Sequence, residues 1–275
     1  MKKILLAFDG THFSEGAFEF ARQINELTPT LVTGVFLPQI NYANLWSYAE
    51  GIAGTSYIPM LEGEETLAVA KNIARFESRC TNNNMEYRVH KDFSEFALPA
   101  LRKETRFADL LVLGSESFYE NLGINEPNES LKDALHNSEC PVVIVPENFQ
   151  FPVTNVLAYD GSDDSVYAIK QFTYLFPDFC SNETLLVYAG QQGDGKIPDE
   201  EYVEELASRH FSNLNVLKLQ LKPREYAKSW ISDKKGAILV SGAFGRSVIS
   251  QIFKKSFVSE VILSHKLPVF ITHRS

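Results

Sequence analysis

Short apolar runs alternate with amphipathic stretches along the whole chain. KKILLAF, over 2–8, reads as a buried strand that stops at Asp9-Gly10. Ala17, Phe20, Ala21, Ile24 and Leu27 then recur every three or four residues, which predicts a helix with those side chains turned inward. A β-branched run over 30–37 completes a βαβ unit. From 38 to 64 the periodicity dissolves into aromatic, Asn, Gly and Pro residues. So long an irregular stretch either packs on its own domain or serves as a lid, and its Trp46, Tyr48 and Tyr57 suit stacking on a ligand or covering an interface. A helix is predicted over 65–82, with Leu67, Ala70, Ile73, Ala74 and Phe76 or Glu77 along one face. A strand over 87–91, a helix over 96–107, a strand and turn over 108–118, a helix over 130–137 and a fifth strand over 141–148 follow. Such alternation predicts an α/β fold with a parallel sheet covered by helices on both faces.

NFQFP, over 148–152, reads as a linker, after which the pattern restarts. The strand and helix over 154–176 place Asp160-Gly161-Ser162 where the first half has Asp9-Gly10-Thr11, and Val166, Ile169, Phe172 and Phe176 form the helix's inner face. LLVLGSES at 110–117 matches ILVSGAFG at 238–245, and CPVVIV at 140–145 matches LPVFIT at 267–272. The second copy is shorter, and the missing length falls where the first carries its aromatic loop. The chain is therefore expected to be a duplication of two repeated open five-stranded parallel sheets, with domains at 1–148 and 149–275.

The end of the second copy carries the chemistry. The apolar run 237–240 stops at Ser241-Gly242, and Gly242 and Gly245 bracket a turn before Arg246 and Ser247. Lys254-Lys255-Ser256 then opens a helical pattern with Val258, Val261 and Ile262 on one face and His265 in its last turn, and Pro268 starts the final strand. Strand, glycine turn, start of a helix and strand, in that order, is how an open α/β sheet builds an anion site at the carboxyl ends of its strands.

Composition narrows the options. At 44% hydrophobic and 22% charged residues the chain can bury a proper core, and its net charge of -9 disfavours nucleic acid as a partner. The apolar run at the N-terminus meets Asp9 too early for a signal segment, and no run approaches a membrane span, so a cytoplasmic protein is expected. Cys80, Cys140 and Cys180 stand far apart without a CxxC pair, and the six histidines show no metal-ligand spacing. Reduced, buried thiols and no metal centre are expected.

A DG(S/T) after the first strand, a terminal (C/L)PV strand and the glycine turn together resemble the universal stress protein family, in tandem over nearly the whole chain. The resemblance implies a Rossmann-like, adenine nucleotide alpha hydrolase-like fold. It also implies a site for ATP or a related adenine nucleotide, with or without magnesium. The ATP-binding branch carries Gly-x-x-Gly, nine residues, Gly, then Ser or Thr. The second copy supplies Gly242, Gly245, Arg246, Ser247, Ser256 and Phe257, with Lys255 in place of the third glycine. In the first copy Gly114 stands, but Ser117 replaces the second glycine and Asn128-Glu129 replace the later pair. By the same resemblance Asp160 lies near the ribose or a divalent ion, and the backbone at Val187 and Tyr188 reads the adenine. The fifth strands, which resemble the dimerising edges of single family domains, are expected to pair within one chain, with a homodimer of such chains as a further option.

Glycines in such a turn admit phosphate oxygens to backbone N–H groups, Ser247 and Ser256 add hydroxyl donors, and the following helix aims its positive end at them. The Lys255 ammonium either pairs with phosphate or fills the space that glycine leaves open. Asp160 also has a purely local reading, as a residue that turns the chain or caps the helix, and for Asp9 that reading is the favoured one. Gly190 to Lys196 fits G-x-x-x-x-G-K, but Ile197 stands where a magnesium-binding hydroxyl is needed, so a plain loop lysine is expected. No catalytic set declares itself. The expected function is a tandem stress-response protein whose second domain binds an adenine nucleotide, any ATP hydrolysis being slow and incidental. The alternative is a nucleotide-free interaction scaffold.

Overall fold

Ile4 to Phe8 of β1 (Lys3–Phe8) are all buried, because helices cover the strand on both sides. The computed structural model describes residues 1–9, 11–38, 63–91, 97–116, 134–188, 197–218, 235–242, 261–262 and 264–272. After β1 come α1 (Glu15–Leu27), β2 (Leu31–Phe36), α2 (Gly63–Asn82), β3 (Tyr87–His90), α3 (Ala97–Thr105), β4 (Leu110–Gly114) and β5 (Val142–Val145). The order then repeats with β6 (Thr154–Tyr159), α4 (Asp163–Leu175), a 3-10 turn (Pro177–Ser181), β7 (Glu183–Tyr188), α5 (Glu200–His210), β8 (Asn213–Lys218), β9 (Ala237–Gly242) and β10 (Val269–Thr272). Short helical segments precede both closing strands, at 134–137 and around 261–264.

All the strands among the described residues lie in one ten-stranded sheet, in the order β3-β2-β1-β4-β5-β10-β9-β6-β7-β8. Read from its outer edge inward, each half has the same order, and every pair within a half is parallel. The halves meet at β5 and β10, which run antiparallel with Val143 opposite Phe270. The two expected sheets are thus continuous, and β3 and β8 are left as edges. Ile4, Leu6 and Phe8 face one core layer with α1, α2, α4 and α5, while Leu5 and Ala7 face the other with Leu101 of α3, Leu135 and Ile262.

The seam is packed as a core. Phe270 of β10 lies 5.4 Å from Phe172 and 5.9 Å from Phe176, both brought by α4 and its C-cap. Phe149 and Phe151 of the linker pack on Phe20 of α1 at 6.0 and 6.1 Å, and Phe151 meets Phe179 edge-on at 5.5 Å. The linker is therefore a docked segment.

Two sequence expectations change, and one region carries none. Leu27, assigned to the inner face of α1, is 49% exposed, because the helix ends there with the Thr28 N–H on the Ile24 carbonyl. In α2 the buried face is Val69, Asn72, Ile73, Phe76 and Cys80, whereas Leu67, Ala70 and Ala74 are exposed. Phe76 sets that phase, because its ring edge lies where a side chain on Gly34 of β2 would sit, 2.9 Å from a Cβ built there. Finally, α5 and β8 fall in a region that the apolar pattern did not resolve. Among the described residues, no helix is long and apolar enough to cross a membrane.

Candidate site at the carboxyl ends of the second-half strands

Tyr159 pairs in register with Tyr188, and Ala158 with Ser241. That register brings Asp160, Val187 and Gly242 to one end of three adjacent strands, β6, β7 and β9. Gly245, Arg246, Ser247, Lys255, Ser256 and Phe257 lie outside the described residues, as do Trp46, Tyr48, Tyr57, Ser117, Asn128 and Glu129.

Gly242 is buried at the end of β9 against the first turn of α4. A Cβ there would stand 2.4 Å from the Asp164 carbonyl carbon and 2.5 Å from both its oxygen and the Ser165 nitrogen, so only glycine admits the helix. Ser162 caps that helix by accepting from the Ser165 N–H at 3.2 Å. Asp160 sits in the turn between, half-buried, with Oδ1 accepting from the Ser162 N–H at 2.9 Å. Its other carboxylate oxygen has no hydrogen-bond partner among the described residues. Gly161 has φ +85, and Pro198, at the approach to α5, lies over it. The Tyr159 hydroxyl donates to the Pro198 carbonyl at 2.9 Å, and burial, with Asp199 and Asp160 nearby, raises its pKa. Val187 is buried within β7, and Tyr188 closes the strand half-buried, its ring centroid 6.4 Å from that of Tyr159. Ile197, where a P-loop would need a hydroxyl, is a core residue.

The equivalent corner of the first half is filled by its own side chains. Asp9 is buried, and its Oδ1 accepts from the N–H groups of Thr11 and His12 at 3.0 and 2.7 Å. Its Oδ2 lies 2.7 Å from His12 Nδ1. Both oxygens are thus committed locally, as a turn residue's would be. Gly114 packs on the α1 cap, where a Cβ would meet Ser14 Oγ at 2.5 Å. At the N-terminus of α1, Glu147 Oε2 accepts from the N–H groups of Glu15 and Gly16 at 2.8 and 3.1 Å. The approach is so close that a side chain on Gly16 would strike the Pro146 carbonyl oxygen. Sequence reading missed Glu147 and His12, neither of which belongs to a recognisable motif. In the sequence, aligning CPVVIVPE with LPVFITHR sets Arg274, which lies outside the described residues, against Glu147.

Among the described residues, no group of three or more His, Cys, Asp or Glu side chains could hold a metal ion. Of the three cysteines expected to be buried, Cys80 is, whereas Cys140 and Cys180 are half-buried; desolvation still pushes the thiols of Cys80 and Cys140 up to about 12 and raises that of Cys180.

Fold and geometry together define an open, Rossmann-like α/β sheet whose strand order is repeated in the two halves of the chain, with a candidate site at the strand ends of the second half. No protein-family model and no curated relative matches the sequence. In structure the chain is similar to a universal stress protein from Archaeoglobus fulgidus DSM 4304, with a TM-score of 0.72 at 13% identity, covering 99% of this chain and 98% of that one. A functionally unknown protein from Pseudomonas aeruginosa PAO1 matches at a TM-score of 0.57 and 11% identity, over 99% of this chain and 92% of its own. A candidate universal stress protein from Pseudomonas aeruginosa UCBPP-PA14 matches at 0.56 and 11%, over 99% and 93%. The chain has the universal stress protein fold.

Proposed function

We propose that the chain is a tandem universal stress protein of the cytoplasm, with domains at 1–148 and 149–275, and that its second domain binds ATP or a related adenine nucleotide. The observation that carries this reading is the contrast between the two aspartates. Asp160 keeps one carboxylate oxygen open at the strand ends, while both oxygens of Asp9 are engaged by Thr11 and His12. An open carboxylate there suits a ribose hydroxyl. It equally suits a magnesium ion whose remaining positions are taken by phosphate oxygens and water.

Calorimetric titration with ATP and magnesium tests the proposal on the wild type and on Asp160→Asn, Asp9→Asn and Gly245→Asp. Wild type and Asp9→Asn should bind alike, Asp160→Asn about tenfold to a hundredfold more weakly, as for loss of a charge-assisted hydrogen bond. Gly245→Asp should not bind, and equal heats from it and the wild type would sink the assignment. The second reading, a nucleotide-free scaffold, draws on Gly242, whose contact with α4 explains that glycine without a phosphate. It predicts no rise in Tm with ATP, whereas a binder is stabilised by mass action. Because β5 and β10 pair within the chain, association of two chains would use other surfaces. Sedimentation that shows only monomer at high concentration would dispose of a homodimer.

A further inference from the structure

We propose that Glu147 is a built-in anionic ligand of the first half, closing that half to phosphate from within. The place it takes is the one where an open α/β sheet receives an anion, at the strand ends and against a helix N-terminus. Its carboxylate binds the Glu15 and Gly16 N–H groups, and its Oε1 lies 3.5 Å from where a Cβ on Gly114 would be, beside the glycine that would begin a phosphate loop.

The other half holds it there. Glu147 N–H donates to Glu116 Oε2 at 3.0 Å, and Ser115 Oγ donates to the same oxygen at 2.6 Å. With its proton so used, the Ser115 hydroxyl accepts from His265 Nδ1 at 2.8 Å, and His265 belongs to the second half, just before β10. His265 adopts the left-handed conformation, φ 47, to end its helix and reach across. Its counterpart in the first half, Ser138, turns back on its own chain and donates to the Cys140 carbonyl at 2.7 Å. Among the described residues the grip therefore runs from the second half onto the first.

A cavity of about 710 Å³ opens on this carboxylate beneath the linker. Arg79, Lys235, His265 and Lys266 stand on its walls together with Glu15 and Glu19. Glu15 is already paired with Arg75 and Arg79, and Glu19 with Arg22. An anion can thus approach the end of α1 through a lining whose acidic members are neutralised, provided the Glu147 carboxylate is removed.

The test is replacement by inorganic phosphate. Glu147→Ala should lower Tm by roughly 3–6 °C, the effect of losing a well-placed anion at a helix N-terminus in a chain of this size. Phosphate titrated at constant ionic strength should then restore much of that loss. The wild type is titrated in parallel, so any phosphate bound by the second half appears in both proteins and cancels. Glu147→Gln keeps an acceptor oxygen without the charge, and should fall between the two in both Tm and phosphate response, which serves if the alanine variant does not fold. A phosphate-dependent gain in these variants no larger than that of the wild type would overturn the proposal, whatever the second half binds.

Discussion

Gly242→Ala gives the sharpest test of how the strand ends are built. The added methyl would sit 2.4–2.5 Å from three backbone atoms of Asp164 and Ser165, against an ordinary contact range of 3.4–4 Å. Backbone cannot rotate aside, so the first turn of α4 must lift from β9 by about 1 Å, loosening its packing on the seam. Overpacking a filled core costs about 1–3 kcal/mol, and with only backbone to yield this site belongs near 3 kcal/mol. In a cooperative chain of this size that corresponds to about 6–12 °C in Tm. Gly114→Ala is the internal control, because its methyl would meet the side chain of Ser14, 2.5 Å from Oγ and 2.7 Å from Cβ. That hydroxyl can swing away at the expense of its cap bond to the Ala17 N–H, about 1 kcal/mol, while Ser14 Cβ requires a smaller backbone shift at the start of α1 than Gly242 requires of α4. Urea titrations and thermal melts of the two variants should rank Gly242→Ala as the more damaging. The reasoning fails if it lies within about 1 kcal/mol of the wild type, or if Gly114→Ala is the worse of the two. It also follows that Gly242 is a poor position for probing nucleotide binding, since its loss damages the fold first.

Asp9→Asn should destabilise by about 2 kcal/mol in urea, because Oδ2 faces His12 and an amide nitrogen there cannot act as the carboxylate does, whereas the stability of Asp160→Asn should change little; similar losses in the two would refute the contrast between them. Cys80 and Cys140, with pKa values pushed up to about 12, hold only about one thiolate in ten thousand at pH 8, so iodoacetamide should leave them unmodified in the native protein and label them after unfolding in urea. Rapid native labelling of either, located by peptide mass, would contradict the desolvation that raises both thiols.

Much of this architecture could be read from local pattern. Continuous apolar runs marked β1, β4 and β9 because those strands are covered on both faces, and the DG turns marked the ends of β1 and β6 because each Asp bonds a backbone N–H two residues on. What escaped depended on distant partners. The phase of α2 is decided by Phe76 meeting Gly34, while Leu67, Ala70 and Ala74 offered an equally apolar stripe in the sequence. β8 alternates between exposed and half-buried positions at a sheet edge, so NLNVLK carries no continuous run. The linker hid two anchoring phenylalanines among polar neighbours. Of the candidate site, Asp160, Val187 and Gly242 lie near one another because β6, β7 and β9 are adjacent and parallel, an arrangement that holds whatever they bind. Glu147 acts on N–H groups more than a hundred residues away in sequence, beyond the reach of any local motif.

The antiparallel seam at β5 and β10 has a consequence for how such a protein can change over generations. A contact that two separate chains would make only at sufficient concentration is here covalently guaranteed, at any dilution and always in one-to-one ratio. In a symmetric pair of identical chains every substitution appears twice, so a change that shuts one pocket shuts both. Fusion removes that constraint. Glu147 can follow one closing run and Arg274 occupy the aligned sequence position in the other, giving each half a separate history within a single inherited unit.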